Sequence, residues 1–139
     1  MAGKRKIDIG EEVMLRVRVS EKDIHYAGGV VDGAWVLGLF GDVGTELLIR
    51  YDGDEGMARA YTNVDFLAPV YAGNYIEAMG EITKVGSTSR TIELEARNII
   101  ASANVPGQPT AAEVLDEAVL VARATLTCVV PNHLQRYGD

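Results

Sequence analysis

Hydrophobic and polar positions change period along this chain, and the changes outline its elements. From residue 12 to 19, Val13, Leu15, Val17 and Val19 alternate with Met14, Arg16 and Arg18, the pattern of a strand with one wet face. Residues 20–29 (SEKDIHYAGG) form a polar connection ending in glycine. From Val30 to Arg50 (VVDGAWVLGLFGDVGTELLIR) the alternation disappears and apolar residues surround a helical axis, which predicts a long helix buried on every side. Asp52-Gly53-Asp54-Glu55-Gly56 then makes a turn, with too few ligands at the right spacing for an EF-hand loop. Residues 57–68 (MARAYTNVDFLA), 74–85 and 88–101 read as strands, the last two joined by a tight turn at Val85-Gly86-Ser87. In the third of these, Ile92, Leu94, Ala96, Asn98 and Ile100 share one face, and Thr91, Glu93, Glu95 and Arg97 the other. Residues 102–116 (SANVPGQPTAAEVLD) read as a loop with a helical turn after Pro109, and 117–130 as a closing strand.

One strand, a helix apolar all round and four strands in series predict an α+β domain over residues 1–139. Consecutive strands with tight turns pair antiparallel, and a helix buried on all sides needs a sheet curved around it.

The helix carries acids where none are expected. At roughly 100° per residue, Asp32, Asp42 and Glu46 fall within an arc of about 80° that also holds Trp35, Leu39 and Arg50. A neighbouring arc holds Ala34, Gly38, Gly41 and Thr45. Buried carboxylates are costly unless paired or used, and each helical glycine costs about 1 kcal/mol relative to alanine. Both features point to a helix that lines a site and admits a second backbone closely. Two plainer readings stand beside this one. Glu46 and Arg50 are spaced i,i+4 in the favourable order for a surface ion pair, and Asp32 suits a helix N-cap.

Twenty acidic against thirteen basic residues give a formal net charge of −7, which argues against nucleic acid and anionic membranes as partners. The single cysteine, Cys128, lies in an apolar run and reads as a small core residue in a protein of a reducing compartment. The start of the chain, MAGKRKIDIGEE, has no apolar stretch of the kind found in a signal peptide or anchor, so a cytoplasmic location is expected. No His/Cys group has zinc spacing, and no metal is expected.

Three segments carry a family resemblance: DIHYAGGVVDG (23–33), NVDFLAPVYAGN (63–74) and KVGSTSR (84–90). They are similar to segments of hotdog-fold acyl-CoA enzymes, the thioesterases and dehydratases, in which a curved antiparallel sheet wraps a long central helix. With LFGDVGTELLIRYDGDEG (39–56), the chain more closely resembles the 3-aminobutyryl-CoA ammonia-lyases of lysine fermentation, whose relatives act on β-alanyl-CoA. The resemblance implies homodimers, often assembled as hexamers (trimers of dimers), with acyl-CoA sites at the dimer interface. It implies no cofactor beyond the coenzyme A moiety of the substrate. Where thioesterases carry Asn or His followed by Gly-Gly before the helix, this chain has His25 and then Asp32-Gly33.

Eliminating ammonia β to a thioester, as from 3-aminobutyryl-CoA to crotonyl-CoA, needs a base for the α proton, donors for the enolate oxygen and a partner for the amine. The amides of a helix N-terminus suit the enolate, with Gly33 admitting the thioester oxygen. Asp42 is the first candidate for the base, and Glu46, one turn on, for the ammonium partner. Asp32 and His25 are further candidates, His25 as a proton shuttle. For the phosphates of coenzyme A the candidates are Arg90 and Lys84, with Ser87, Thr88 and Ser89 as added donors. An acyl-CoA thioesterase and a non-catalytic acyl-CoA binder are the competing readings.

Overall fold

The computed structural model describes residues 3–138. Its elements are β1 (Gly3–Lys4), β2 (Glu12–Arg18), a 3-10 turn (Glu21–Asp23), α1 (Gly33–Asp52), β3 (Met57–Phe66), β4 (Tyr75–Val85), β5 (Ser89–Ser102), β6 (Ala112–Val129), a second 3-10 turn (Asn132–Leu134) and β7 (Tyr137–Gly138). Strands β2-β4-β5-β6-β3 form one sheet in that order, every neighbouring pair antiparallel. The short β1 and β7 pair parallel beside it.

The core lies between α1 and one face of the sheet. Phe40, Val43, Leu47 and Leu48 of the helix pack with Ile76, Ala78 and Ile82 of β4, Ile92, Leu94 and Ala96 of β5, and Ala122, Ala124, Leu126 and Cys128 of β6. These are the alternate residues that a pleated strand sends to one face. Gly44 brings the helix down on the sheet, since a Cβ there would stand 2.8 Å from Leu126 Cδ2. Cys128, 2% exposed, is the core residue its setting predicts, and burial pushes its thiol up to about 11.

Two expectations are corrected. The helix is not buried on every side of its own chain: Ala34, Gly38, Asp42, Ile49 and Arg50 are exposed. Val30 and Val31 are extended rather than helical, bridging to Tyr71 and Ile24. The helix begins at Gly33, where Asp32 accepts a hydrogen bond from the Trp35 amide at 3.1 Å, and ends at Gly53 with φ 71°. The second correction concerns residues 112–116, which are strand and not loop. Ser102 opposes Ala112 and Ile100 opposes Val114, so β5 and β6 run on as a two-stranded ribbon closed by Asn104 and Gly107 at positive φ. The ribbon is mostly exposed, so no buried face imposed the alternation that would mark a strand.

Among the described residues no helix is long and apolar enough to cross a membrane.

Candidate active site

An open groove of about 480 Å³ lies at the N-terminus of α1. Its walls are the approach segment (Tyr26, Val30, Val31), the helix start (Asp32, Gly33, Val36) and the end of β3 with the chain beyond it (Phe66 to Val70), floored by Val121 of β6. Hydrogen bonds from Val31 N to Val70 O and from Leu67 N to Val121 O, at 3.0 and 2.8 Å, hold these walls together. The lining is apolar except at the helix start.

There the Asp32 carboxylate has two engagements. Oδ1 caps the Trp35 amide, and Oδ2 stands 3.8 Å from His25 Nδ1. His25 is held at the rim by its amide on the Val30 carbonyl (3.1 Å) and by edge contact with the Tyr26 ring. Asp32 takes the Trp35 amide, while the Gly33 and Ala34 amides have no acceptor within the helix. The helix dipole adds its positive end at the same place. Gly33 keeps the helix start open to the Phe66 ring: a Cβ there would stand 2.6 Å from Phe66 Cζ, so the ring would have to shift. Asp32, His25 and Gly33 are thus brought together at one groove. Phe66, 55% exposed on an edge strand, is the wall residue that sequence reasoning missed; its position next to Leu67, also exposed, was the available signal.

Asp42 and Glu46 are elsewhere. Nine residues of helix separate Asp42 from Gly33, about 13 Å along the axis. Asp42 is exposed and forms no ion pair among the described residues. Glu46 is half-buried and accepts Arg50 Nε at 2.8 Å through Oε2, the plainer of the two readings of that pair. Beside this stretch stands Tyr61 of β3, whose hydroxyl donates to the Leu37 carbonyl at 2.8 Å. Burial first, then the charges of Cys128 and Asp42, push the Tyr61 phenol above its usual range.

Arg90 is not a phosphate ligand. Its side chain is 2% exposed and forms a bidentate pair with Asp52, itself 0% exposed, at 2.8 Å from both Nε and Nη2. Nη1 donates to the carbonyls of Gly86 and Ser89 at 2.9 and 3.0 Å, so the arginine laces its own turn from inside. Asp52 ends the helix, where the dipole disfavours an anion, and only a fully hydrogen-bonded cation makes that burial tolerable. The bond to Asp52 raises the Arg90 pKa against the opposing effect of burial. The period of β5 held the signal: Arg90 shares parity with Ile92, Leu94 and Ala96, the core face. Lys84 is exposed, and Thr88 and Ser89 are partly exposed at the turn, so these remain available to a ligand. Among the described residues no three His, Cys, Asp or Glu groups gather to hold a metal.

Residues 28–99 match the thioesterase superfamily model. The 3-aminobutyryl-CoA ammonia lyase of Acetoanaerobium sticklandii is 52% identical over 123 residues, 88% of this chain and 97% of that one. The solved β-alanyl-CoA:ammonia lyase from Clostridium propionicum superposes with a TM-score of 0.89 at 35% identity, covering 95% of this chain and 93% of the other. A hexameric hotdog fold thioesterase of Campylobacter jejuni shares the fold, with a TM-score of 0.71 at 19% identity over 96% of this chain and 88% of its own. The chain therefore belongs to the thioesterase superfamily and, within it, to the ammonia lyases of CoA thioesters.

Proposed function

We propose that this protein reversibly eliminates ammonia from a 3-aminoacyl-CoA, with 3-aminobutyryl-CoA and crotonyl-CoA as the working pair, in the cytoplasm and in amino-acid (lysine) fermentation. The observation that carries the reading is the 52% identity to a 3-aminobutyryl-CoA ammonia lyase along 97% of that protein. The groove fits the chemistry. The thioester lies at the start of α1 with its carbonyl oxygen towards the Gly33 and Ala34 amides, which stabilise the enolate as the α proton leaves. A carboxylate removes that proton, the Cβ–N bond breaks, and ammonia departs and takes up the proton.

Asp42 is the base and Glu46 the ammonium partner in this reading, and both come from a second copy. One copy cannot place Asp42 in its own groove, about 13 Å away along the helix. The turn at 86–89 lies still further off, at the Asp52 end of a 20-residue helix about 30 Å long. A site that uses groove, acids and turn together draws on two chains. The surface for pairing is present: β3 is an edge strand of the sheet with most of its residues exposed, beside the exposed flank of α1. A homodimer is the minimal unit, and a trimer of dimers the larger assembly. His25, oriented by Asp32, relays protons to and from nitrogen. Lys84, Thr88 and Ser89 receive the phosphates of coenzyme A. No cofactor beyond that moiety takes part.

Incubation with crotonyl-CoA and ammonia tests the reading. Loss of enoyl absorbance without release of free thiol is the expected result. Free thiol would make the protein a thioesterase, and no change in either signal would leave an acyl-CoA binder.

A further inference from the structure

A helix lying on an apolar sheet face is held by forces without direction, so its exact seating depends on the few polar contacts it makes. Among the described residues, side-chain hydrogen bonds join α1 to the main sheet at two places. One is the Arg90–Asp52 pair at the C-terminal end. The other is the bond from the Tyr61 hydroxyl to the Leu37 carbonyl, in the second turn of the helix. Tyr61 enters from β3, an edge strand paired only with β6. The carbonyl it binds is the helical acceptor for the Gly41 amide, one residue before Asp42. The register of β3 shifts on both sides of Tyr61, between Ala58 and Ala60 and between Thr62 and Asp65. Bulges of this kind re-aim side chains at strand edges.

We infer that Tyr61 is a positioning residue for Asp42: its phenol pins the turn of α1 that runs from Leu37 to Gly41 to the edge strand and thereby sets where the Asp42 carboxylate stands. The inference rests on Asp42 being the base. Tyr61 acts through the helix backbone, and its loss displaces the base without altering the groove or the turn that bind the thioester.

The test is Tyr61→Phe, which keeps the ring in place and removes one hydroxyl, with Asp42→Asn made in parallel. Both are assayed for crotonyl-CoA amination, and both are melted by circular dichroism. Tyr61→Phe is expected to lower kcat about 3- to 10-fold, the span one neutral hydrogen bond controls. KM for the thioester should stay within about two-fold, since the binding surfaces are intact. Asp42→Asn is expected to lower kcat by about 10²–10⁴, the scale of general acid–base catalysis. Unchanged kcat in a folded Tyr61→Phe variant overturns the positioning role while Asp42→Asn remains inactive. A matching rise in KM overturns it too, because Tyr61 would then act on substrate binding. If Asp42→Asn itself keeps full turnover, the assignment of the base fails, whatever Tyr61 does.

Discussion

Arg90→Met removes one member of an ion pair that is almost completely enclosed. The Arg90 side chain is 2% exposed and that of Asp52 0%. The variant strands the Asp52 carboxylate without its bidentate donor and leaves the Gly86 and Ser89 carbonyls without Nη1. Breaking a buried pair from one side costs about 3–5 kcal/mol. At roughly 2.1 cal/mol/K per residue, the unfolding entropy of a 139-residue chain is about 0.29 kcal/mol/K. The loss then corresponds to a fall in Tm of about 10–17 °C. Removing both charges with Arg90→Met and Asp52→Leu should recover most of this, because the stranded carboxylate is gone and a buried pair replaced by apolar groups is often neutral. The measurement is thermal and urea unfolding of parent, both single variants and the double variant at one protein concentration, read as a double-mutant cycle. A coupling below about 1 kcal/mol would refute the reasoning, since that is the value of a solvated pair. The same variants settle Arg90's part in ligand binding: any rise in KM should not shrink with added salt, as it would for a screened contact to phosphate.

Three further outcomes are expected. Lys84→Ala raises KM for the CoA thioester with little change in kcat, and the difference narrows at high salt; a salt-independent or absent effect moves the phosphate site away from Lys84. Glu46→Gln weakens binding of a 3-aminoacyl-CoA more than that of crotonyl-CoA, by about 1.5–3 kcal/mol or roughly 10- to 150-fold, as for a charged hydrogen bond. No weakening for either ligand would leave Glu46 as Arg50's surface partner, and equal weakening for both would leave it a general structural or catalytic acid. The Cys128 thiol, raised by burial to about 11, favours the fold while protonated, so its contribution is intact below pH 9 and is lost as pH rises through 11. Urea midpoints between pH 9 and 11 should fall less steeply in Cys128→Ala than in the parent, and superimposable curves would show that the thiol does not titrate on unfolding.

The sheet was legible because each central strand has one buried face. Ile92, Leu94 and Ala96 repeat at period two, and the structure buries all three. The signal fades where that cause is missing: the ribbon of 99–120 has little core beneath it, and its first strand residues on β6 resembled a loop. Arg90 shows a different limit. Chemistry drew it to the surface as a phosphate ligand, whereas its parity placed it in the core, and parity was the better guide. What parity could not supply was the partner, since Asp52 lies 38 residues away and meets Arg90 only once the helix is laid on the sheet. The groove at Asp32, His25 and Gly33 was legible as a capped helix start. Its wall at Phe66 depended on where an edge strand ends.

On the proposed two-copy site, the small residues along the exposed flank of α1 have a cause that a single chain does not contain. Glycine inside a helix costs about 1 kcal/mol relative to alanine, and something usually offsets that cost. At Gly44 the offset is visible, because Leu126 fills the space a Cβ would need. At Gly38 no other part of the described chain, its own neighbours and helix backbone aside, comes within 4 Å of where the Cβ would be. Ala34 and Gly38 are exposed and Gly41 and Thr45 half-buried, next to an exposed Asp42. A solvated helix face has no use for small residues and a lone unpaired acid, where Glu and Lys at i,i+4 would stabilise it further. A face that receives another backbone has use for both, since small residues permit close approach and the acid then leaves water for an apolar wall. On the proposed function, the composite site and the odd composition of the helix share one explanation, in which a second copy completes both the burial of α1 and the placing of Asp42.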